Sequence, residues 1–398
     1  MPRTVRLLAN GDDIKFLQQR LNERPPSALP ALPINGIFDA ATDARVREYQ
    51  TDNALFTDGI VGPITWSSLL GHSVVETPGF FTLDRQIHDR LGEKVLLRGI
   101  NKMSVFDNVD PDGILNFAEI KKTGANTVRI VWAITSNLAP GGPATDPARL
   151  DTLISNAKAN HLIPMIELHD ATGDLARLGE LVDYWTRADI VAIVRKHEQY
   201  LLLNIGNEVG DDTVTAAEYQ DEYQAAISRL RTANIHVPLV LDAPTFGQNL
   251  QILNDTAIGL RDGDPQGNLI FSVHLYWSIS HVGGADVIKT RLEVAAAINY
   301  PLIVGEFSQF GGEAGKASMC SAAGEIDYKA ILEVCHSLQL GWYAWEWGPG
   351  NDFFDPLCDV MDMTPDRWFA HIKAGWAVEV ATSSPFGIKS TSITPASI

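Results

Sequence analysis

Residues 200–241 read YLLLNIGNEVGDDTVTAAEYQDEYQAAISRLRTANIHVPLVL, and their order decides the fold. An apolar run, Tyr200 to Ile205, ends in the polar pair Asn207-Glu208. Helical material follows from Ala216 to Ala233, and then a second apolar run, Pro238 to Leu241. A buried strand, a helix and another buried strand make a βα unit. Its helix-length connection lets both strands lie parallel in one sheet.

The same alternation runs through the chain from Phe80. Further strands are expected at Val95 to Ile100, Thr127 to Val131, Ile163 to Leu168, Leu269 to Val273, Leu302 to Val304 and Gly341 to Ala344. With the two already named they reach the number that closes a barrel. The fold class expected is α/β, a (β/α)8 TIM barrel preceded by a small three-helix domain. The expected limits are 1–72 for the helical domain, 73–79 for a linker, 80–380 for the barrel and 381–398 for a tail. From Ser383 that tail has too little apolar material to pack and is expected to be poorly ordered.

Size and composition agree. The 398 residues exceed one ordinary domain and suit a small module plus a barrel of roughly 250 residues or more. At 45% hydrophobic and 20% charged residues the chain has ample material for a core. Its 49 acidic against 31 basic side chains give a formal charge of -18, which repels phosphate backbones and anionic lipid. Nucleic acid is not an expected partner. No stretch approaches the ~20 apolar residues of a spanning helix, so no membrane is expected either. Met1 to Asn10 holds two arginines but neither an apolar signal core nor a cleavage site, and no signal peptide is visible. Cys320, Cys335 and Cys358 match no zinc spacing; one disulfide and one thiol remain open, with no pairing chosen.

An internal repeat precedes Gly71. Asn35-Gly36-Ile37-Phe38 followed by Thr42 recurs as Asp58-Gly59-Ile60-Val61 followed by Thr65. Each copy is a turn entering a helix, with the threonines placed where a hydroxyl caps. Ile14, Leu17, Leu21, Val46 and Tyr49 carry helical apolar spacing. With Gly11, Gln18, Asn22, Tyr49-Gln50 and Gly62-Pro63-x-Thr65-Trp66, residues 4–71 resemble a peptidoglycan-binding-like domain. That resemblance implies attachment to a cell-wall glycan or other polysaccharide; the alternative is a module that serves only in packing.

In a barrel of this kind chemistry sits at the C-terminal ends of the strands. The polar residues found there are Asn101, Arg129, His169-Asp170, Asn207-Glu208, His274 with Tyr276, Glu306 and Trp345. Glu208 and Glu306 end different strands and can face each other across the mouth, as retaining glycoside cleavage requires. One must stay protonated and the other ionised, so their surroundings must differ. Arg129 and Tyr276 suit holding Glu306, and Asn207 suits a sugar 2-hydroxyl. His169 and His274 with Asp170 make a weak metal set and are read as sugar contacts and carboxylate orienters. No metal or organic cofactor is expected. Trp132, Trp277, Trp345 and Trp347 are stacking candidates, Trp345 foremost, and Gly348 to Asp352 is read as a mobile loop bordering the cleft. Glu167, one step before the end of its strand, is read as structural.

Several segments, taken together, resemble glycoside hydrolase family 5 over about residues 80–375. They are Leu97-Arg98-Gly99-Ile100-Asn101, Gly124-Ala125-Asn126-Thr127-Val128-Arg129, Glu167-Leu168-His169-Asp170-Ala171-Thr172-Gly173, Asn204-Ile205-Gly206-Asn207-Glu208, Ser272-Val273-His274-Leu275-Tyr276 and Ile303-Val304-Gly305-Glu306-Phe307. The resemblance implies Glu208 as acid/base, Glu306 as nucleophile, and Arg129, His169, Asn207, His274, Tyr276 and Trp345 as substrate-binding residues around them. Within the family, the His169-Asp170-Ala171-Thr172-Gly173 run looks most like bacterial β-1,4-mannanases. Val209-Gly210-Asp211 departs from the aromatic or proline common after the acid/base.

The function expected is a retaining endo-acting hydrolase of internal β-1,4 bonds, in mannan or glucan, working outside the cell or on its wall. The alternatives are a cell-wall or chitosan-type glycan hydrolase and a non-catalytic carbohydrate-binding protein.

Overall fold

The structure, a computed structural model, describes residues 4–24, 27–70, 79–83, 85–135, 141–311, 324–351 and 360–398. The expected linker up to residue 78, together with Cys320, Cys358 and Asp352, lies outside the described residues. Cys335 is a buried free thiol.

A three-stranded antiparallel sheet comes first: β1 (Phe81–Leu83), β2 (Gln86–His88) and β3 (Lys94–Val95). The barrel follows as β4 (Arg98–Lys102), β5 (Thr127–Trp132), β6 (Ile163–Leu168), β7 (Leu202–Asn204), β8 (Leu239–Asp242), β9 (Leu269–His274), β10 (Leu302–Glu306) and β11 (Gly341–Ala344). These eight strands close in the order β10-β11-β4-β5-β6-β7-β8-β9, and every pairing among them is parallel. One expected strand divides. Val95 pairs with Ile87 in the small sheet while Arg98 pairs with Trp342 in the barrel, and a straight Val95 to Ile100 strand could not serve both ladders.

In the module the helices are α1 (Asp12–Asn22), α2 (Ala40–Asp52) and α3 (Pro63–Leu70). Around the barrel they are α4 (Ile114–Lys121), α5 (Pro147–Ala159), α6 (Leu178–Trp185), α7 (Ala188–Lys196), α8 (Ala216–Thr232), α9 (Leu250–Gly263), α10 (Ala285–Ile298) and α11 (Tyr328–Leu338). The helix legible in the opening stretch starts at a capping box, in which Thr215 and Glu218 satisfy each other's backbone donors. Asp146 caps α5, whose first residue is Pro147.

Period-2 alternation along the barrel strands separates two apolar clusters. Leu97, Ile163, Met165, Leu202, Val240, Ile270, Ile303 and Tyr343 face inward and fill the N-terminal end of the barrel, with Phe80, Ile87 and Val95 of the small sheet closing that floor. Val128, Ile130, Ile166, Leu168, Leu203, Leu241, Phe271 and Val304 face outward to the helices. Two residues beyond the inward apolar layer, the same face carries Arg129, Glu167, Asn204 and Asp242.

The module packs around Val5, Ile14, Leu17, Leu21, Phe38, Val46 and Trp66. Its sequence repeat is a repeated hydrogen-bond set. Gln18 accepts from the Asn35 and Gly36 amides at 3.0 Å and donates to the Ile37 carbonyl and the Thr42 hydroxyl. Gln50 does the same with the Gly59 amide, the Ile60 carbonyl and Thr65. Thr42 is therefore no helix cap; Asp39 takes that place by accepting from the Thr42 amide at 2.9 Å.

The C-terminal segment also departs from expectation. Ile388 is fully buried. Thr391 accepts from Arg98, the Ile393 carbonyl from Asn126, Thr394 from Lys121, and Ser397 donates to Asp89. What the tail lacks in apolar bulk it replaces with hydrogen bonds that add to those Arg98, Asn126, Lys121 and Asp89 already make within the barrel and the small sheet.

Candidate active site

Arg129 stands at the centre of the barrel mouth, fully buried on the inward face of β5. Its Nη1 donates to Glu306 Oε1 at 2.7 Å and to Asn101 Oδ1 at 3.0 Å. Nη2 donates to Asn207 Oδ1 at 2.8 Å, to Asn204 Oδ1 at 2.9 Å and, at 3.3 Å, to Asp242 Oδ2. A guanidinium can be buried this way because all its donors find partners and three carboxylates surround it. Burial opposes its charge, yet Glu167, Asp242 and Glu306 raise its pKa above the ordinary value.

Glu306 reaches the site through an irregularity in β10. Alternation places Ile303 and Gly305 inward and would send Glu306 outward, but the register with β9 shifts between Val304 and Glu306, bringing Glu306 opposite His274. Gly305 makes the shift possible, since a Cβ there would lie 2.3 Å from Ser272 Oγ and 2.8 Å from His274 Nε2. Tyr276 then donates its hydroxyl proton to Glu306 Oε2 at 2.8 Å. With Arg129 on one oxygen and Tyr276 on the other, Glu306 is surrounded by donors, the partners of an acceptor-only carboxylate.

Glu208 follows β7 in a left-handed backbone conformation, φ 47°, which costs a non-glycine residue about 1 kcal/mol or more. Two hydrogen bonds hold it there. Its amide donates to Asp242 Oδ2 at 3.2 Å, and its carbonyl accepts from the Gly173 amide at 2.8 Å. Burial pushes the Glu208 carboxyl up, against a 2.7 Å hydrogen bond from His274 Nδ1. His274 lies 3.6 Å from Glu306 Oε2 and, through Nε2, 3.4 Å from Asp242. Burial disfavours its charge, but Glu306 and Asp242 prevail and raise its pKa to about 10. Asp242, although buried, is drawn down to about 2 by His274 and Arg129.

The remaining predicted residues close the wall. Asn207 Nδ2 donates to Thr172 Oγ1 at 3.0 Å and lies 3.4 Å from His169 Nε2. His169 Nδ1 is 3.0 Å from Glu167 Oε1; burial works against its charge, while Glu167 holds its pKa up. The His169 ring stacks on Trp345 with centroids 6.2 Å apart. Thus Glu208, Glu306, Arg129, His169, Asn207, His274, Tyr276 and Trp345 all converge. Trp132, Trp277 and Trp347 are buried like Trp345, but their indoles donate to Tyr184, Gln248 and Arg367 and not to this set.

Sequence reading passed over two members of this network, Asn204 and Asp242. Asn204 falls inside the expected strand Tyr200 to Ile205, and Asp242 directly follows the expected strand Pro238 to Leu241; both are the last, inward-facing residues of β7 and β8. A polar residue closing an apolar strand, as in Leu202-Leu203-Asn204 and Leu239-Val240-Leu241-Asp242, was the available signal.

Ligand atoms of Glu208, His274 and Glu306 lie within 4.8 Å of one another. Such a trio has the spacing for a cation; without one, a protonated His274 bridges the two carboxyl groups instead. The spacing also brings the two carboxyl groups near the short separation of a retaining pair, well below that of an inverting one. One carboxyl is pushed towards its protonated form; the other receives only donors.

Residues 92–351 match the family Cellulase (glycosyl hydrolase family 5), and residues 10–69 match a peptidoglycan binding domain family. Mannan endo-1,4-beta-mannosidase of Streptomyces lividans is 30% identical over 323 residues, 79% of this chain and 78% of that protein. The enzyme of the same description from Cellvibrio japonicus is 29% identical over 335 residues, 82% of this chain and 72% of that one. Among solved structures, the mannanase catalytic domain from Streptomyces sp. SirexAA-E superposes with TM-score 0.68 at 29% identity, covering 82% of this chain and 98% of that one. The mannotriose complex of Thermomonospora fusca β-mannanase superposes with TM-score 0.66 at 29% identity, covering 79% of this chain and 98% of that one. With a closed barrel, an acidic pair of retaining spacing and a family match across the barrel, the chain belongs to glycoside hydrolase family 5.

Proposed function

We propose that the chain is a retaining endo-β-1,4-mannanase in which Glu306 is the nucleophile and Glu208 the general acid/base. The observation that carries this is the contrast within the close pair: Arg129 and Tyr276 donate to Glu306, while Glu208 is pushed towards the protonated form. In the first step Glu306 attacks the anomeric carbon as Glu208 gives its proton to the departing glycosidic oxygen, leaving a glycosyl ester on Glu306. In the second, Glu208 takes a proton from water, whose oxygen displaces Glu306 with a second inversion and therefore net retention.

Asn207, fixed by Arg129 and Thr172, presents its amide to the sugar 2-hydroxyl, and His169 with Trp345 forms a wall beside the ring. Mannan is favoured as substrate because the relatives named above are mannan-degrading and because the His169 to Gly173 run borders Asn207. The module, residues 1–72 joined by residues 73–79, is a second functional unit that holds a wall glycan, and the protein acts outside the cell. It meets the turn between β2 and β3, where Thr4 Oγ1 donates to the Gly92 carbonyl at 3.2 Å.

Reducing-end release from mannan, carboxymethyl cellulose, xyloglucan, chitosan and peptidoglycan tests the substrate, with mannan expected to lead. Azide rescue tests the roles. Glu208→Ala should lose about 10²- to 10⁴-fold in turnover and, with azide, give the β-glycosyl azide, whereas Glu306→Ala should give the α-azide. Unimpaired turnover by Glu306→Ala would overturn the mechanism.

A further inference from the structure

Trp345 can present a fixed face to a sugar only if its indole is held from behind, and a buried side-chain relay stands there. The indole Nε1 donates to Asn351 Oδ1 at 2.8 Å, and Asn351 Nδ2 donates to Asp362 Oδ1 at 2.6 Å. Asp362 also accepts from the Asn351 amide at 3.2 Å and, through Oδ2, from the Gly350 amide at 3.1 Å. Trp345, Asn351 and Asp362 are 6%, 5% and 2% exposed, so water does not compete for these bonds. The Gly348–Asn351 stretch, expected as a mobile loop, is instead tied down.

The chemistry of the relay permits one orientation. An indole N–H can only donate and a carboxylate can only accept, so the amide between them must turn its oxygen to Trp345 and its nitrogen to Asp362. The backbone of this region is held separately. The Glu346 amide donates to the Met361 carbonyl, the Met363 amide to the Glu346 carbonyl and the Thr364 amide to the Trp347 carbonyl. Segments 345–347 and 361–364 would thus stay together without the Asn351 side chain, which leaves that side chain free to act on the ring.

We propose that Asn351 and Asp362 are positioning residues that set the Trp345 ring at the angle the sugar needs, Asp362 by orienting the Asn351 amide. This rests on the reading of Trp345 as the sugar-facing wall. Neither residue is placed against the reacting atoms.

A double-mutant cycle separates the two readings. Asn351→Ala should lower kcat/KM on mannohexaose about tenfold, the worth of one hydrogen bond, and chiefly through kcat. In a Trp345→Phe background, which has no indole N–H, the same change should have under about twofold effect. Asp362→Asn, which keeps the shape, should reproduce part of the loss. The Trp345 indole resonance, identified by its disappearance in Trp345→Phe, should move upfield in Asn351→Ala, a shift that loop packing alone does not require. An equal effect of Asn351→Ala in both backgrounds would overturn the relay. Full activity of Trp345→Phe would instead overturn the reading of Trp345 on which it stands.

Discussion

At the scale of residues the site is a question of which charges sit beside Glu208. His274, kept cationic by Glu306 and Asp242, donates to Glu208 and lowers a pKa that burial raises. The acid must be protonated to work, so activity is lost as pH climbs through its pKa. His274→Gln keeps a donor but removes the cation, so the alkaline limb of kcat/KM should move to higher pH. The plateau should fall about 10- to 100-fold with the loss of one charged hydrogen bond. A limb that moves down or stays put would mean His274 does not set the charge of the acid. Asp242 belongs to the same account. It receives the Glu208 amide, pairs with His274 and meets Arg129, so a residue absent from the strand-end pattern joins all three.

Elements show how a short motif becomes structure. In the module, the turn Asn35-Gly36 and its repeat Asp58-Gly59 are each closed by a glutamine from a preceding helix, Gln18 in α1 and Gln50 in α2. Gln18→Leu leaves two backbone amides, Asn35 and Gly36, without their acceptor. The module should lose about 2 to 4 kcal/mol, at about 1 to 2 for each orphaned donor. Hydrogen exchange at these amides should quicken by a comparable free energy while barrel amides are unaffected; unchanged protection would show that the glutamine is dispensable. In the barrel, the shift at Gly305 is the corresponding device, because it turns a residue that alternation would send outward into the mouth.

The whole molecule is organised about the barrel axis. The mouth holds the acidic pair, while the floor is closed by β1–β3 and by the C-terminal segment, with Ile398 packed against the inward apolar layer. Truncation before Ile388 should lower stability by about 3 kcal/mol or more, from the burial of one isoleucine and the bond to Arg98. Urea unfolding of the truncated chain measures this, and an unchanged midpoint would make the tail incidental. Much of the architecture was legible in the sequence, because the period of apolar residues and the capping and turn chemistry are local: the eight strands, α8, the module's repeat and the strand-end residues Arg129, Glu208, His274 and Glu306 could all be read directly. Other features depend on which strands become neighbours. The division of Val95 from Arg98, the register shift at Gly305, the Asp242 network, the Trp345–Asn351–Asp362 relay and the packed tail each join residues distant in sequence. Their partners, and hence their charges, exist only once the barrel has closed.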